Sequence, residues 1–275
     1  MTLVALAQLG RGVVAVDEPV VHADDEGLLR GRSVFETLRV YAGVPFKLDA
    51  HLDRLAASAE RLRLPEPPHD ALAAIAQEAI AAGVHPDATL RLLWTAGRAG
   101  GAPAGLVLVS TLPPDLDALR ARGLRLAVTR WSPGALAGAK STSYAENMAA
   151  QDEAIRAGAD DALLVAPEGT VLEAPTSNVW FREGDRLLTP TLRLPLLAGV
   201  TRATLCELAP GLGYEVEEGV YALDRLLGSD EVFLSSSVRE VMPVIAVDGV
   251  EVARGPAAPA LQRALRAAAG YPESR

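Results

Sequence analysis

The chain has 275 residues, 49% hydrophobic and 22% charged, with a formal net charge of −9. That length holds one large domain or two smaller ones around a sizeable core. The acidic balance, with no basic patch interleaved with aromatics, speaks against nucleic acid as a partner. Cys206 is the single cysteine, so neither an intramolecular disulfide nor a cysteine zinc cluster can form. His22, His51, His69 and His85 lack metal-ligand spacing, so no metal is expected. No apolar run reaches membrane-span length, and no basic segment precedes a long apolar run at the N-terminus. The expectation is a cytoplasmic protein without a membrane partner.

In chain order, Val13–Val16 and Pro19–Val21 read as strands, and the acidic segment 24–27 as a turn. Ser33–Tyr41 alternates, with Val34, Glu36, Leu38 and Val40 on one face and Phe35, Thr37 and Arg39 on the other. Glu36 interrupts an apolar face, so it is either exposed or held by a partner, with a structural partner preferred over a catalytic role. After a turn at 41–44 and a short strand, Asp49–Leu62 is an amphipathic helix with Leu52, Leu55, Ala59 and Leu62 as its stripe. Arg54 flanks that stripe and can reach inward. Pro65-Glu66-Pro67-Pro68 ends the helix, and Asp70–Gly83 is a second, alanine-rich one.

Ala88–Thr95 and Gly105–Thr111 read as strands around a glycine-rich loop that carries Arg98. Paired prolines break both helix and sheet, so Pro113-Pro114 marks a boundary. The expected organisation is a domain over 1–112, a linker over 113–119 and a domain over 120–275. In the second part, Leu124–Thr129 is a strand and Ala145–Ala157 a helix closed by Gly158. Ala162–Ala166 with Thr170–Glu173, and Asn178–Arg182 with Arg186–Leu188, read as two hairpins. Ala203–Leu208 is a helix introduced by 199–202, and Glu231–Leu234 a strand running into Ser235-Ser236-Ser237.

Lysine occurs only at Lys47 and Lys140; arginine supplies the remaining cations. Arginine cannot give up its proton in a protein, whereas a lysine amine can be tuned to attack a carbonyl. A lysine retained against this bias points to chemistry. Gly199-Val200-Thr201 ahead of a helix offers backbone N–H groups, a positive dipole end and a hydroxyl, a combination suited to phosphate. Ser235-Ser236-Ser237 is a second cluster of hydroxyls and amides, and Arg54 can add a bidentate cation. A reactive lysine, a carboxylate at Glu173 and a phosphate cup together suit pyridoxal 5′-phosphate.

The stretches 33–37 (Ser-Val-Phe-Glu-Thr), 51–55 (His-Leu-Asp-Arg-Leu), 140–144 (Lys-Ser-Thr-Ser-Tyr), 172–178 (Leu-Glu-Ala-Pro-Thr-Ser-Asn), 199–202 (Gly-Val-Thr-Arg) and 235–244 resemble, in order, the fold-type IV pyridoxal-phosphate enzymes, or class IV aminotransferases. The resemblance implies an α+β fold of two domains: a small α/β N-terminal one and a larger C-terminal one with a β-barrel core, paired as a homodimer. It implies that Lys140 carries the Schiff base and shuttles the proton, and that Glu173 pairs with the pyridinium nitrogen. Arg54, the Val200 and Thr201 amides, and Ser236 with Ser237 would hold the phosphate. Tyr144 or Thr176 would contact the ring, and Phe35 and Arg98 are the candidates for substrate contact. Gly31-Arg32-Ser33 departs from the family's frequent Gly-Asp-Gly and leaves substrate preference open.

Within the family, the serine-rich loop at 235–241 favours a transaminase moving an amino group from a D-amino acid or (R)-amine to a 2-oxo acid. The segment 140–147 equally resembles 4-amino-4-deoxychorismate lyases, which release pyruvate and 4-aminobenzoate. Branched-chain L-amino-acid transamination, or a pyridoxal-phosphate-binding protein without chemistry, are less favoured alternatives.

Overall fold

A computed structural model describes residues 1–271. The chain divides into two units, one made of Met1–Pro114 with Gly138–Tyr144, the other of Asp115–Ala137 with the chain from Ala145 onward. The Lys140 segment therefore groups with the first unit, although the second flanks it on both sides in sequence.

The first unit contains β1 (Leu3–Gln8), β2 (Gly12–Val14), α1 (Glu26–Arg30), β3 (Ser33–Tyr41), β4 (Val44–Pro45), α2 (Leu48–Arg61), α3 (His69–Gly83), β5 (Ala88–Thr95) and β6 (Ala104–Thr111). Its six strands form one sheet in the order β2-β1-β6-β5-β3-β4. The apolar face of β3 meets the stripes of α2 and α3: Val34, Leu38, Leu52, Leu55 and Leu72 are all essentially inaccessible. Each such side chain contributes about 2 kcal/mol of burial.

Three elements near the N-terminus differ from the sequence expectation. Leu3–Gln8 is a strand, whereas 19–21 is not. An apolar run as short as 3–7 has no decisive period of its own, and its pairing with β2 and β6 is what makes it a strand. The acidic segment opens a one-turn helix because the Asp25 side chain accepts the Gly27 N–H at 2.7 Å, and Gly31 closes it in the left-handed conformation.

The second unit contains α4 (Leu116–Arg122), β7 (Leu124–Arg130), α5 (Ala145–Arg156), β8 (Asp161–Val165), β9 (Asn178–Glu183), β10 (Arg186–Pro190), α6 (Val200–Leu208), β11 (Glu215–Gly219), α7 (Leu223–Leu227), β12 (Glu231–Ser236), β13 (Glu240–Val247), β14 (Val250–Glu251) and α8 (Ala257–Ala268). Its strands form a curled eight-stranded sheet in the order β11-β10-β9-β12-β13-β7-β8, with β14 on β13. The mixed pairing, parallel at β7–β8, β7–β13 and β10–β11, makes this an α+β protein. Helix α4 occupies most of the stretch read as linker. Its Arg120 binds Glu240 and the carbonyls of Arg239 and Val241, which ties the helix to β13. Thr170–Glu173 pairs with β8 through backbone bonds such as Leu172 N–H to Leu164 O, without forming a regular strand. α6 begins three residues earlier than its apolar pattern, at Val200.

Candidate functional site

In the first unit, residues 140–142 lie along the edge of β3 not used by β5. Val34 and Ser141 form an antiparallel bridge, the Phe35 N–H donates to Lys140 O at 2.9 Å, and the Thr142 N–H donates to Ser33 O at 3.0 Å. A hydroxyl pair between Ser33 and Thr142 reinforces this edge. On the other side, the Lys140 N–H donates to Ser58 Oγ of α2 at 3.1 Å. The lysine backbone is thus pinned at both its amide and its carbonyl by elements that belong to the first unit's core.

Lys140 is 9% exposed, while Lys47 sits on the surface at the start of α2. Nζ lies 4.5 Å from the centroid of the Phe35 ring and 5.4 Å from that of Tyr144. Those rings meet edge to face at 5.3 Å. Two aromatic rings beside one amine restrict its rotamers. Lys140, Phe35 and Tyr144, singled out separately in the sequence, are therefore neighbours.

Arg54 belongs to an adjoining cluster. Its Nε donates to Glu36 Oε1 at 2.7 Å and its Nη2 to Glu36 Oε2 at 2.6 Å, and His51 Nδ1 lies 2.7 Å from Oε2. The expected structural partner of Glu36 is thus this Arg–His pair. Burial raises the Glu36 carboxyl, but the hydrogen bonds and charge of Arg54, with His51, outweigh it and bring the pKa to about 2. Burial pushes the His51 imidazole down, further lowered by Arg54 and Lys140, against the upward pull of Glu36. His51 is then neutral and donates from Nδ1.

Both shifts destabilise the fold in acid. A carboxyl held below its ordinary 4.5 contributes stability that is complete above that value and is lost as pH falls toward 2. A histidine held below 6.5 contributes stability that is lost as pH falls below 6.5, because the unfolded chain takes up the proton first. One such proton gives a slope of at most about 1.4 kcal/mol per pH unit. His51→Asn keeps a donor near the Nδ1 position and cannot titrate. Its melting temperature is expected to fall less steeply than that of the parent between pH 6.5 and 5, as measured by thermal melts; equal slopes would refute the assignment.

Arg98 lies outside both clusters, on the glycine-rich loop. Its Nε donates to Asp24 Oδ2 at 2.8 Å, and this bond is the main cause that lowers the Asp24 carboxyl. Arg98, Arg30, Asp24, Glu26 and Leu29 line a surface cavity of about 410 Å³.

In the second unit, Glu173 is held by residues that sequence reading did not single out for this role. Leu197 N–H lies 3.2 Å from each carboxylate oxygen, and Asn178 Nδ2 donates to Oε2 at 3.1 Å and to Leu197 O at 2.9 Å. These donors fix the orientation of the carboxylate. Gly199 caps α6 without a side-chain hydrogen bond, so the Val200 and Thr201 N–H groups head a helix whose first turn lacks intrahelical acceptors. A methyl group on Gly199 would overlap Asn178 Oδ1, which is why this position is glycine.

Ser235 is buried and accepts from Trp180 Nε1 at 2.9 Å, whereas Ser236, the last residue of β12, and Ser237, which opens the β12–β13 turn, are partly exposed. One Arg239 nitrogen, Nη2, donates to Asp161, Thr176 and Ser177 at 2.6, 2.9 and 3.1 Å. It connects this turn to the Ala174–Ser177 turn that follows Glu173. Asn178, Ser58 and Arg239 were missed as site residues. Asn178 and Arg239 did lie within the motif stretches 172–178 and 235–244, whereas Ser58 falls outside every one of them.

The sequence model of the class IV amino-transferase family matches residues 33–247. The chain belongs to the class IV aminotransferases. A bifunctional aminodeoxychorismate lyase / D-amino acid transaminase of Mycobacterium tuberculosis is 36% identical over 260 residues, 87% of this chain and 90% of that protein. An aminodeoxychorismate lyase of Bacillus subtilis is 31% identical over 85% of this chain and 83% of its own. A hypothetical aminotransferase from Mycobacterium tuberculosis, solved with PLP and also with α-ketoglutarate and PMP, superposes with a TM-score of 0.90. It has 33% identity and covers 96% of this chain and 98% of its own.

This class IV aminotransferase has the fold of the fold-type IV enzymes and is a pyridoxal-phosphate-dependent enzyme. Taken separately, each unit holds groups of the kinds this cofactor requires: a buried primary amine in the first, and in the second a carboxylate held by an amide N–H and a carboxamide, and a helix start without a side-chain cap.

Proposed function

We propose that this aminotransferase moves the amino group of a D-amino acid or (R)-amine to a 2-oxo acid, with Lys140 as its acid and base. The observation that carries the reading is the buried Lys140 amine in a chain with one other lysine, the exposed Lys47, and arginine elsewhere. The D-specific choice is supported by the similarity to the bifunctional lyase and D-amino acid transaminase. An α-ketoglutarate-bound relative supports a 2-oxo acid as acceptor. The same relatives favour a second reading, aminodeoxychorismate lyase activity, which would release pyruvate and 4-aminobenzoate without any acceptor.

When bound, pyridoxal phosphate supplies an electrophilic carbon and a conjugated ring that accepts electrons. With the cofactor bound, Lys140 Nζ would be the nucleophile that holds it and the acid and base that carries the proton to and from the substrate Cα. Phe35 and Tyr144 restrict the amine to one region and keep water from it. Glu173 supplies negative charge for the ring nitrogen. Arg54, the Val200 and Thr201 amides, and Ser236 with Ser237 hold the phosphate, while Thr176 is a candidate ring contact. Arg98 is the candidate cation for the substrate carboxylate. The working form is a homodimer, in the cytoplasm. Among the described residues no helix is long and apolar enough to cross a membrane.

The test is an absorption spectrum of the loaded protein with D-alanine, and with L-leucine in a parallel sample. D-alanine is expected to remove the lysine-bound cofactor band and produce that of the amine form, with L-leucine inert. Conversion by L-leucine alone would overturn the D-specific reading. Pyruvate released in step with aminodeoxychorismate, with no acceptor present, would establish the lyase activity.

A further inference from the structure

Glu36 is the one charged residue on a strand face whose other members, Val34, Leu38 and Val40, are wholly buried. Removing a carboxylate from water costs several kcal/mol, and an apolar residue would fill this position more cheaply. The three polar partners are not equally buried. The side chains of Glu36 and His51 are 0% and 2% exposed, while that of Arg54 is 12% exposed. Arg54 is thus the member of the cluster that reaches outward.

The contacts also define an orientation. Glu36 takes the Nε and Nη2 donors with its two different oxygens, at 2.7 and 2.6 Å, which fixes both the plane and the direction of the guanidinium. His51 occupies the second site on Oε2 and prevents the carboxylate from swinging. On α2, His51, Arg54 and Ser58 follow at i, i+3 and i+7, along one stripe. Ser58 at the end of that stripe receives the Lys140 N–H. The clamp therefore sets the guanidinium in register with the backbone of the lysine segment.

We propose that Glu36, locked by His51, is a positioning residue that aims the Arg54 guanidinium at the cofactor phosphate. The proposal rests on the reading of Arg54 as a phosphate ligand. Glu36 touches no ligand itself; it removes the rotamer freedom that a long arginine side chain would otherwise lose on binding.

The experiment measures binding of pyridoxal phosphate and of pyridoxal, which lacks the phosphate, to the full-length apo protein by spectroscopic titration. Glu36→Gln is expected to weaken pyridoxal phosphate by roughly 10- to 100-fold, while pyridoxal binding stays unchanged. Equal weakening of both, or of neither, would overturn the proposal. If Glu36→Gln does not fold, Glu36→Asp retains the charge but withdraws it by one methylene, and the same contrast between the two ligands is expected. Inorganic phosphate is a second probe: it should raise the melting temperature of the apo parent, and this protection should be absent in the Glu36 variant. Arg54→Met tests the underlying reading separately. If it leaves the preference for pyridoxal phosphate over pyridoxal intact, the phosphate role of Arg54 fails and the proposal with it. If it abolishes the preference while both Glu36 variants retain it, only the positioning role fails.

Discussion

Lys140→Ala is expected to reduce turnover by roughly 10⁴-fold or more, because one substitution removes both the nucleophile and the proton carrier. The fold should survive. The contacts that hold the segment, to Ser58 and Phe35, run through the Lys140 backbone, and alanine keeps them. Melting temperature should therefore stay close to that of the parent while activity is lost. The variant should also lack the lysine-bound cofactor band when pyridoxal phosphate is added, and show the spectrum of the free aldehyde. Lys140→Arg sharpens the test, since it places a long cationic side chain beside Phe35 and Tyr144 but cannot act as a free amine. Steady-state kinetics and a spectrum of each variant suffice, and full activity in Lys140→Ala would refute the mechanism.

The second large effect is expected at Glu173. Glu173→Gln keeps an acceptor for the Leu197 N–H and the size of the side chain, but removes the charge proposed to face the ring nitrogen. Loss of one oriented electrostatic contact of this kind lowers kcat by about 10²- to 10³-fold. KM should change far less, because the residue acts on charge that develops during reaction and not on substrate binding. Rapid-mixing measurement of the D-alanine half-reaction separates the two quantities. A variant with parental kcat would remove Glu173 from the mechanism. A loss confined to KM would make it a binding residue instead.

Both residues were legible without coordinates, but what holds them was not. Lysine scarcity is a property of composition, and the six motif stretches keep their order along the chain. The apolar spacing of α2 and α3 and the alternation of β3 are likewise local, and they place these elements within a residue or two of their observed bounds. β1 escaped detection because a short alanine-rich apolar run takes its conformation from its neighbours.

Periodicity says which face of an element is buried, not what covers it. Glu36 was recognisable as a carboxylate in need of a partner. That the partner is a bidentate arginine together with a neutral histidine depends on how α2 packs across β3. The Lys140 segment joins the first unit because its backbone groups find acceptors and donors at Ser58, Ser33 and Phe35, the last two more than a hundred residues away in sequence. Glu173 is fixed in the same manner by Asn178 and a Leu197 amide. The sequence by itself determined the family and the cofactor chemistry and singled out Lys140 as the candidate amine, since these reside in residue identity and local spacing. The tertiary structure alone decided how each reacting group is held, because buried polar atoms must be satisfied by whatever the fold brings beside them.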